Sequence, residues 1–484
     1  MEKKSVKKNY LYNVTYQILL IILPLLTAPY ISRVLGAESI GIYSYALSIS
    51  AYFISFGSLG VDLYAQREIA YYQDDKKKYS KTFWEITILR MVTMSISILI
   101  FCFTFASSGE YKVFYRILVI ELLGKCFDIS WFFKGLEDFK KIVLRNLVIK
   151  VLSIISIFTF VKTPDDLSLY FWIYVLSVIL GNISLWLYLP KFICKVKIQS
   201  LKIFKHLKPT VSLFIPQIAI QVYTLLDKTM IGAIYKDKSE VGYYEQAQKI
   251  INMLLTVITS LGTVMLPRIA NFYANKKSDQ VKSYMEKSFN FVFLLAFPMI
   301  FGIIAVAKDF VPIFFGQGYD KVIILMSVIS PILLFIGMSN VIGTQYLLPT
   351  KRQREYTISV VIGSIVNLCI NGCLIWNYGA LGASIGTIFA EFTVTLVQII
   401  FVRKEFDFKK IFRLAINYII ASIIMFCACK VISFIPINDF ASLVLQVTVG
   451  VATYSLALII LKDKFVLTIL KQIKEKIEDR RLKK

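Results

Sequence analysis

The chain has 484 residues, of which 57% are hydrophobic and only 18% are charged, and its mean hydropathy is +0.66. Soluble domains are about half apolar and about a quarter charged, so this composition excludes a soluble multidomain protein, a disordered chain and a disulfide-rich secreted scaffold. The net charge of +24 does not indicate nucleic-acid binding, because Lys and Arg fall in short segments between apolar blocks, the pattern of a polytopic membrane protein.

Fourteen apolar segments of spanning or near-spanning length follow one another along the chain. They lie at residues 13–33, 40–62, 84–106, 113–133, 146–161, 169–190, 210–232, 242–266, 288–307, 323–348, 357–377, 380–402, 412–432 and 441–461. If the spans alternate from a cytoplasmic N-terminus, the cytoplasmic segments carry most of the Lys and Arg and the external loops carry few. The sequence therefore predicts an all-α membrane protein with both termini in the cytoplasm.

The sequence also repeats itself at an offset of about 201 residues. ESIGIYSY at 38–45 is matched by SEVGYY at 239–244, and REIA at 67–70 is matched by RIA at 268–270. Six spans, an even number, separate the copies, so both halves have the same orientation. This predicts a parallel repeat about an axis along the membrane normal, an arrangement common in transporters.

The repeat predicts four segments. They are an N-terminal lobe at 1–190 (spans 1–6), a basic linker at 191–209, a C-terminal lobe at 210–402 (spans 7–12), and spans 13–14 with a basic cytoplasmic tail at 403–484. Lysines alternate with apolar residues in the linker, so we expect it either to lie on the anionic inner leaflet or to be simply solvated. The seven cysteines and the single histidine, His206, have no spacing typical of a disulfide framework, a metal site or a catalytic pair.

Charged residues inside the spans are the strongest functional candidates, because each costs several kcal/mol unless it faces a protein interior or water. Glu121, Lys125 and Asp128 share one helix face, and so do Glu245 and Lys249. Cations with intervening acids are suited to an anionic substrate and a coupling cation. The predicted substrate-binding residues are Arg33, Arg90, Arg116, Lys125, Lys228 and Lys249, and the predicted ion-coupling residues are Glu121, Asp128, Asp227 and Glu391.

Structural alternatives stand beside these assignments. Arg33 and Lys150 lie near span ends and can extend to the membrane interface, and Glu121 with Lys125 can form a structural salt bridge. No catalytic residue, metal ligand or cofactor is assigned apart from a coupling H⁺ or Na⁺. The sequence contains no G-x-x-x-x-G-K-[ST] motif, so we expect an ion gradient rather than ATP hydrolysis in this chain.

Two N-terminal stretches, NYLYN at 9–13 and PYISRVLGAESIGIY at 29–43, together with GALGASIG at 379–386, resemble the Wzx-type polysaccharide repeat-unit flippases. These belong to the multidrug/oligosaccharidyl-lipid/polysaccharide exporter superfamily. The resemblance implies two six-helix lobes around a central cavity, with two additional C-terminal helices. It also implies an undecaprenyl pyrophosphate-linked oligosaccharide as substrate, moved from the inner to the outer leaflet.

The leading hypothesis is thus a flippase for a precursor of capsule, O-antigen or teichoic acid in the bacterial cell membrane, and not an enzyme. One alternative is a cation-coupled multidrug or small-solute antiporter of the same superfamily, and a weaker one is a membrane glycosyltransferase or polymerase. The expected partners are the lipid-linked oligosaccharide, membrane lipids, and a polysaccharide polymerase with glycosyltransferases. We expect a monomer and no nucleic acid.

Overall fold

The structure is a computed structural model that describes the backbone of residues 6–468, 471–472 and 475. Side chains are described over the same ranges except at 6–22, 24, 139–140, 215–217, 219–220, 222–223 and 263–264. Most of the predicted basic tail and the side chains of the 9–13 motif therefore lie outside the described residues.

Within the described part of the chain the regular elements are helical, which confirms the all-α prediction. The helices are α1 Val6–Ser58, α2 Val61–Tyr71, α3 Lys76–Phe101, α4 Lys112–Cys126, α5 Ser130–Gly135, α6 Phe139–Phe160, α7 Leu167–Trp186, α8 Leu207–Ile234, α9 Ser239–Ala274, α10 Ser278–Phe315, α11 Asp320–Ile329, α12 Ile332–Ser339, α13 Gln353–Tyr378, α14 Ala380–Val402, α15 Phe408–Ser433 and α16 Asp439–Ile460. Two π-helical segments, Cys102–Ala106 and Asn340–Leu347, continue α3 and α12.

Each predicted span coincides with one or more of these helices. Eleven segments of the described residues are long and apolar enough to cross a membrane. One of them, Leu25–Tyr71, runs through two predicted spans, and the fourth predicted span is divided between the short helices α4 and α5. The protein is a multi-pass membrane protein, and the count of fourteen spans stays a prediction.

The boundary between the first two predicted spans lies inside α1, at Gly36. Its φ of 75° and ψ of 172° interrupt the helical backbone. A positive φ is readily adopted only by glycine, so the G of the RVLGAES stretch provides the turn between the spans.

The chain forms two compact units, Met1–Gly242 and Tyr243–Lys484. The first unit includes α8, which packs against α1 and α2, whereas the predicted division between lobes falls earlier, in the linker at 191–209. The lobe boundaries therefore remain a prediction.

At one end of the first unit, the linker packs onto the helices that precede it. The Tyr79 hydroxyl donates to the Phe192 carbonyl at 2.7 Å, and the Cys194 N–H donates to Ser80 Oγ at 3.1 Å. Some apolar side chains of the linker are exposed: Ile198 is 83% exposed and Phe204 is 75% exposed. Hydrogen bonds to α3 hold the linker backbone, and contact of the linker with lipid stays a prediction.

Within the first unit, the segment around Gly41 lies close to the residues that end at Gly242. A Cβ added to Gly41 would lie 1.8 Å from the Lys238 carbonyl oxygen, and one added to Gly242 would lie 2.0 Å from the Ala37 carbonyl oxygen. Gly41 and Gly242 differ by 201 residues, as do Ala37 and Lys238. The contact is thus reciprocal, and it has the offset that the sequence predicts for the repeat.

In the second unit, α15 and α16 pack against α10. Lys410 on α15 pairs with Glu286 on α10 at 2.7 Å, and the Tyr454 hydroxyl on α16 donates to the Leu294 carbonyl at 2.9 Å. Ser442 and Gln446 both donate to Asp309. The last two predicted spans are therefore attached to one helix of the second unit.

Candidate functional site

A network of charges connects α2, α3 and the end of α4. Arg90 Nη1 donates to Asp62 Oδ1 at 2.6 Å, and Arg90 Nε donates to the Lys125 carbonyl at 3.1 Å. Asp128 interacts electrostatically with both Arg90 and Lys125. The structure thus brings together two predicted substrate-binding cations and one predicted ion-coupling acid, and it adds Asp62 to them.

The two ends of the Arg90–Asp62 ion pair differ in exposure. The Arg90 side chain is 2% exposed, whereas that of Asp62 is 56% exposed. A buried guanidinium needs a counter-charge, and Asp62 provides one from the adjacent helix. Lys125 is half-buried, and among the described residues no carboxylate lies within ion-pair distance of its ammonium group. Glu121 and Asp128 interact with it electrostatically at longer range.

Glu121 lies one helical turn before Lys125, and its side chain is 3% exposed. Its Oε1 accepts a hydrogen bond from the Tyr174 hydroxyl at 2.7 Å, and its Oε2 accepts one from Ser50 Oγ at 2.9 Å. Among the described ion pairs none joins Glu121 to Lys125, so hydroxyl groups rather than a salt bridge hold this carboxyl. A carboxyl held by hydroxyls can bind and release a proton without losing its hydrogen-bonding partners.

The other candidates of the first unit lie apart from this network. Arg116 is exposed, and its Nε donates to the Ala106 carbonyl at 3.0 Å. Arg33 is exposed near the turn at Gly36. On α8, Asp227 is buried and interacts electrostatically with Tyr52, while its neighbour Lys228 is half-buried.

Lys249 and Glu391 belong to the second unit. Lys249 Nζ donates to Gln246 Oε1 at 3.1 Å, and Gln246 is fully buried on the same helix. Glu391 is buried on α14, one turn after Thr387, whose hydroxyl lies 3.0 Å from the Tyr244 hydroxyl. These side chains make α9 and α14 polar near the hydrogen bond between Tyr244 and Thr387 that joins the two helices.

Sequence reasoning overlooked some buried polar groups. Asn371 Nδ2 donates to Asn367 Oδ1 at 3.1 Å on α13, and both side chains are fully buried. Two amides four residues apart in the apolar stretch 357–377 were a visible signal for one polar helix face. The sequence assigned no structural role to His206, whose side chain is fully buried.

Two family models match the chain. The model described as polysaccharide biosynthesis protein covers residues 6–273, and the model described as MatE covers residues 213–372. The first match extends over more than half of the chain and includes the N-terminal stretches that carry the resemblance.

Curated relatives match most of the chain. A putative O-antigen transporter from Escherichia coli (strain K12) is 27% identical over 417 residues, which are 83% of this chain and 98% of the relative. A putative O-antigen transporter from Shigella dysenteriae is 22% identical over 78% of this chain and 94% of the relative. The capsular polysaccharide biosynthesis protein CapF from Staphylococcus aureus is 22% identical over 82% of this chain and 100% of the relative.

Solved structures show the same fold. The lipid II flippase MurJ, in an inward closed conformation, superposes with a TM-score of 0.76 at 18% identity, over 94% of this chain and 99% of MurJ. An inward-facing multidrug resistance MATE family transporter of the MOP superfamily superposes with a TM-score of 0.64 at 12% identity, over 80% of this chain and 94% of the transporter. The resemblance stated from the sequence is therefore confirmed, and the chain belongs to the polysaccharide biosynthesis protein family, within the superfamily of the Wzx-type flippases.

Proposed function

We propose that this protein is a flippase that moves an undecaprenyl pyrophosphate-linked oligosaccharide from the inner to the outer leaflet of a bacterial cell membrane by alternating access. The match of residues 6–273 to the polysaccharide biosynthesis family carries this proposal. The names of the O-antigen transporter and CapF relatives support a cell-surface polysaccharide precursor, destined for O-antigen, capsule or teichoic acid. Both termini are cytoplasmic in this proposal.

The substrate's pyrophosphate explains why cations lie within the spans. Moving its negative charge out of water is unfavourable unless the protein supplies positive charge along the path. Lys125 is the lead candidate, because Asp62 already compensates the buried Arg90 and no described carboxylate pairs with Lys125. Lys228 and Lys249 are the corresponding candidates on α8 and α9, while Arg33 and Arg116 are placed nearer the external mouth.

Ion coupling is the second part of the proposal. Glu121, Asp128, Asp227 and Glu391 are the groups that would bind H⁺ or Na⁺. Glu121 is the preferred proton site, because it is buried and two hydroxyl groups hold it. Protonation removes a buried negative charge near Lys125, which changes the attraction of that lysine for an anion.

A cation-coupled antiporter is the alternative, and the MatE match over residues 213–372 favours it. An antiporter for cationic drugs needs acids in its cavity, whereas the candidates of this chain include several cations. The flippase proposal therefore has the better support. A polymerase and glycosyltransferases acting on the same glycan are the proposed partners of a monomeric protein.

The test is a leaflet assay on purified protein in vesicles that contain an undecaprenyl pyrophosphate-linked glycan. We expect the parental protein to flip this lipid, and Lys125→Ala, Lys228→Ala and Lys249→Ala each to slow flipping about tenfold, the value of one charge-assisted hydrogen bond. Lys308→Ala, at a predicted external position outside the candidate set, should flip at the parental rate.

Gel filtration of each variant separates a loss of transport from a loss of folding. Parental flipping by all three lysine variants would show that these cations are structural. Flipping that continues after both the H⁺ and the Na⁺ gradients are collapsed would exclude ion coupling.

A further inference from the structure

A basic cavity of about 780 Å³ lies in the second unit, and none of the candidate substrate-binding or ion-coupling residues lines it. Three segments that are distant in the sequence form it: the turn from α9 to α10, the end of the second π-helical segment, and the loop from α14 to α15. Its lining residues are Tyr273, Ala274, Lys276, Lys277, Ser278, Val281, Lys282, Tyr346, Lys404, Glu405 and Phe406. All three segments adjoin cytoplasmic loops in the predicted topology.

The charge of the cavity is strongly positive. It is lined by four lysines, at positions 276, 277, 282 and 404, and none of them forms an ion pair within the described residues. The single lining acid, Glu405, is already engaged. Its Oε1 accepts a hydrogen bond from Arg352 Nη1 at 2.7 Å, and its Oε2 accepts one from the Tyr346 hydroxyl. Among the described residues, the four lysines therefore have no carboxylate within ion-pair distance.

Lys276 occupies a backbone conformation that favours glycine. Its φ is 56°, and its N–H donates to the Tyr273 carbonyl at 3.0 Å, while the N–H of Lys277 donates to the Phe272 carbonyl at 2.9 Å. This is the turn that ends a helix with a left-handed residue, a position that glycine usually occupies. A lysine is conformationally less favourable there than a glycine, although Lys351 and Lys462 adopt the same left-handed backbone.

The turn before α3 in the first unit differs from the turn before α10 in its N-cap residue. Asp75 precedes α3, accepts hydrogen bonds from the N–H groups of Lys77 and Lys78, and pairs with the Lys78 ammonium at 3.2 Å. The N-cap residue of α10 is Lys277, which has no side-chain cap of this kind. The turn before α10 therefore has a lysine where the turn before α3 has an acid.

We propose that this cavity binds a phosphate group, carried by an anionic phospholipid headgroup or present as free phosphate. Four ammonium groups around one concave space match that chemistry, and 780 Å³ is within the usual size of a ligand pocket. The cavity lies where membrane-spanning helices end, the depth at which lipid phosphates meet basic side chains. This site is separate from the translocation residues, so it does not depend on the proposed function.

The test measures binding to the purified full-length protein in neutral detergent at constant ionic strength. The probes are phosphatidylglycerol, phosphatidylcholine as the neutral lipid, and inorganic phosphate. The cavity variant is Lys276→Gly/Lys282→Gln, which removes two charges and gives the turn its favoured residue. The matched control is Lys462→Gly, because Lys462 has a φ of 52° in the same kind of turn but does not line the cavity.

We expect the parental protein to bind an anionic probe, and the cavity variant to bind it about 30-fold more weakly. The unfolding temperature of that variant should be unchanged or higher, since glycine relieves the positive φ. Binding of phosphatidylglycerol without binding of phosphate assigns the site to a lipid, and binding of both assigns it to phosphate itself. Equal affinity in the cavity variant and Lys462→Gly, or no binding of any anionic probe by the parental protein, overturns the proposal.

Discussion

His206, the only histidine of the chain, is fully buried where the linker meets α2 and α3. Its Nε2 lies 2.9 Å from Glu85 Oε2, and its Nδ1 lies 2.8 Å from the Tyr64 hydroxyl. Glu85 also accepts a hydrogen bond from the N–H of Lys202 at 2.7 Å. The imidazole thus connects the end of the linker to α2 and α3 through two hydrogen bonds.

Protonation of His206 is expected to loosen this attachment. Burial lowers the pKa of His206, the hydrogen bond to Glu85 opposes that effect, and the neighbouring Lys205 reinforces it. Because the pKa of His206 is lower in the folded protein than its ordinary value of about 6.5, the neutral imidazole stabilises the folded contact above about pH 6.5. This contribution is lost as the pH falls from about 6.5 through the pKa of the folded protein. Besides Glu85 and Lys205, the facing groups are Tyr64 and Glu68 on α2.

The reactivity of Cys194 in the linker measures how firmly the linker is packed against α3. In a background that retains only this cysteine, we expect alkylation, corrected for the pH dependence of the thiol reaction, to become faster below about pH 6.5. His206→Gln keeps a neutral hydrogen-bonding side chain that does not titrate, so its corrected rate should not change with pH. The same acid-dependent increase in both proteins would show that another group causes it.

At the scale of elements, the reciprocal contact of Gly41 and Gly242 sets how closely α1 and the first turn of α9 approach. Each glycine faces a backbone carbonyl, which cannot move aside as a flexible side chain can. Gly41→Ala should therefore destabilise the protein by about 1–3 kcal/mol, the usual cost of overpacking. Thermal unfolding of the purified protein measures this change.

Gly372→Ala is the matched control for that substitution. Gly372 lies within α13, and a Cβ there would meet nothing within 4 Å. Alanine favours a helix more than glycine, so this variant should be as stable as the parent or slightly more so. If Gly41→Ala is equally stable, the two segments are not in close contact in the membrane.

At the scale of the whole molecule, alternation of the spans decides which loops share a side of the membrane. In the first unit the linker packs against Tyr79 and Ser80, which adjoin another predicted cytoplasmic loop. In the second unit three predicted cytoplasmic segments form one basic cavity. Within each unit, loops predicted to share a side do meet, while the assignment of that side to the cytoplasm stays a prediction.

Cysteine labelling in cells tests this assignment. In a cysteine-free background, Lys197→Cys in the linker and Asp165→Cys in the loop before α7 both place an exposed thiol. A membrane-impermeant maleimide should label position 165 in intact cells and position 197 only after the membrane is opened, because the positive-inside rule puts the basic linker in the cytoplasm. Labelling of both positions from the same side contradicts the predicted topology.

The sequence alone determined the helical class, the membrane-spanning character and the family, and it predicted the positions of the spans and the repeat. These follow from local properties: an apolar stretch of spanning length must form a helix to satisfy its backbone in lipid, and a repeat is visible as matching residues at one offset. It also identified which intramembrane residues carry charge, because each such residue stands out against its apolar neighbours.

Only the tertiary structure decided which of these residues meet. Asp62 lies 28 positions before Arg90, and His206 lies 121 positions after Glu85, so neither pair is visible in a local pattern. The basic cavity combines residues near 276, 346 and 404. Such contacts depend on how helices pack side by side, because packing selects one of many possible neighbours for each polar face that the sequence presents.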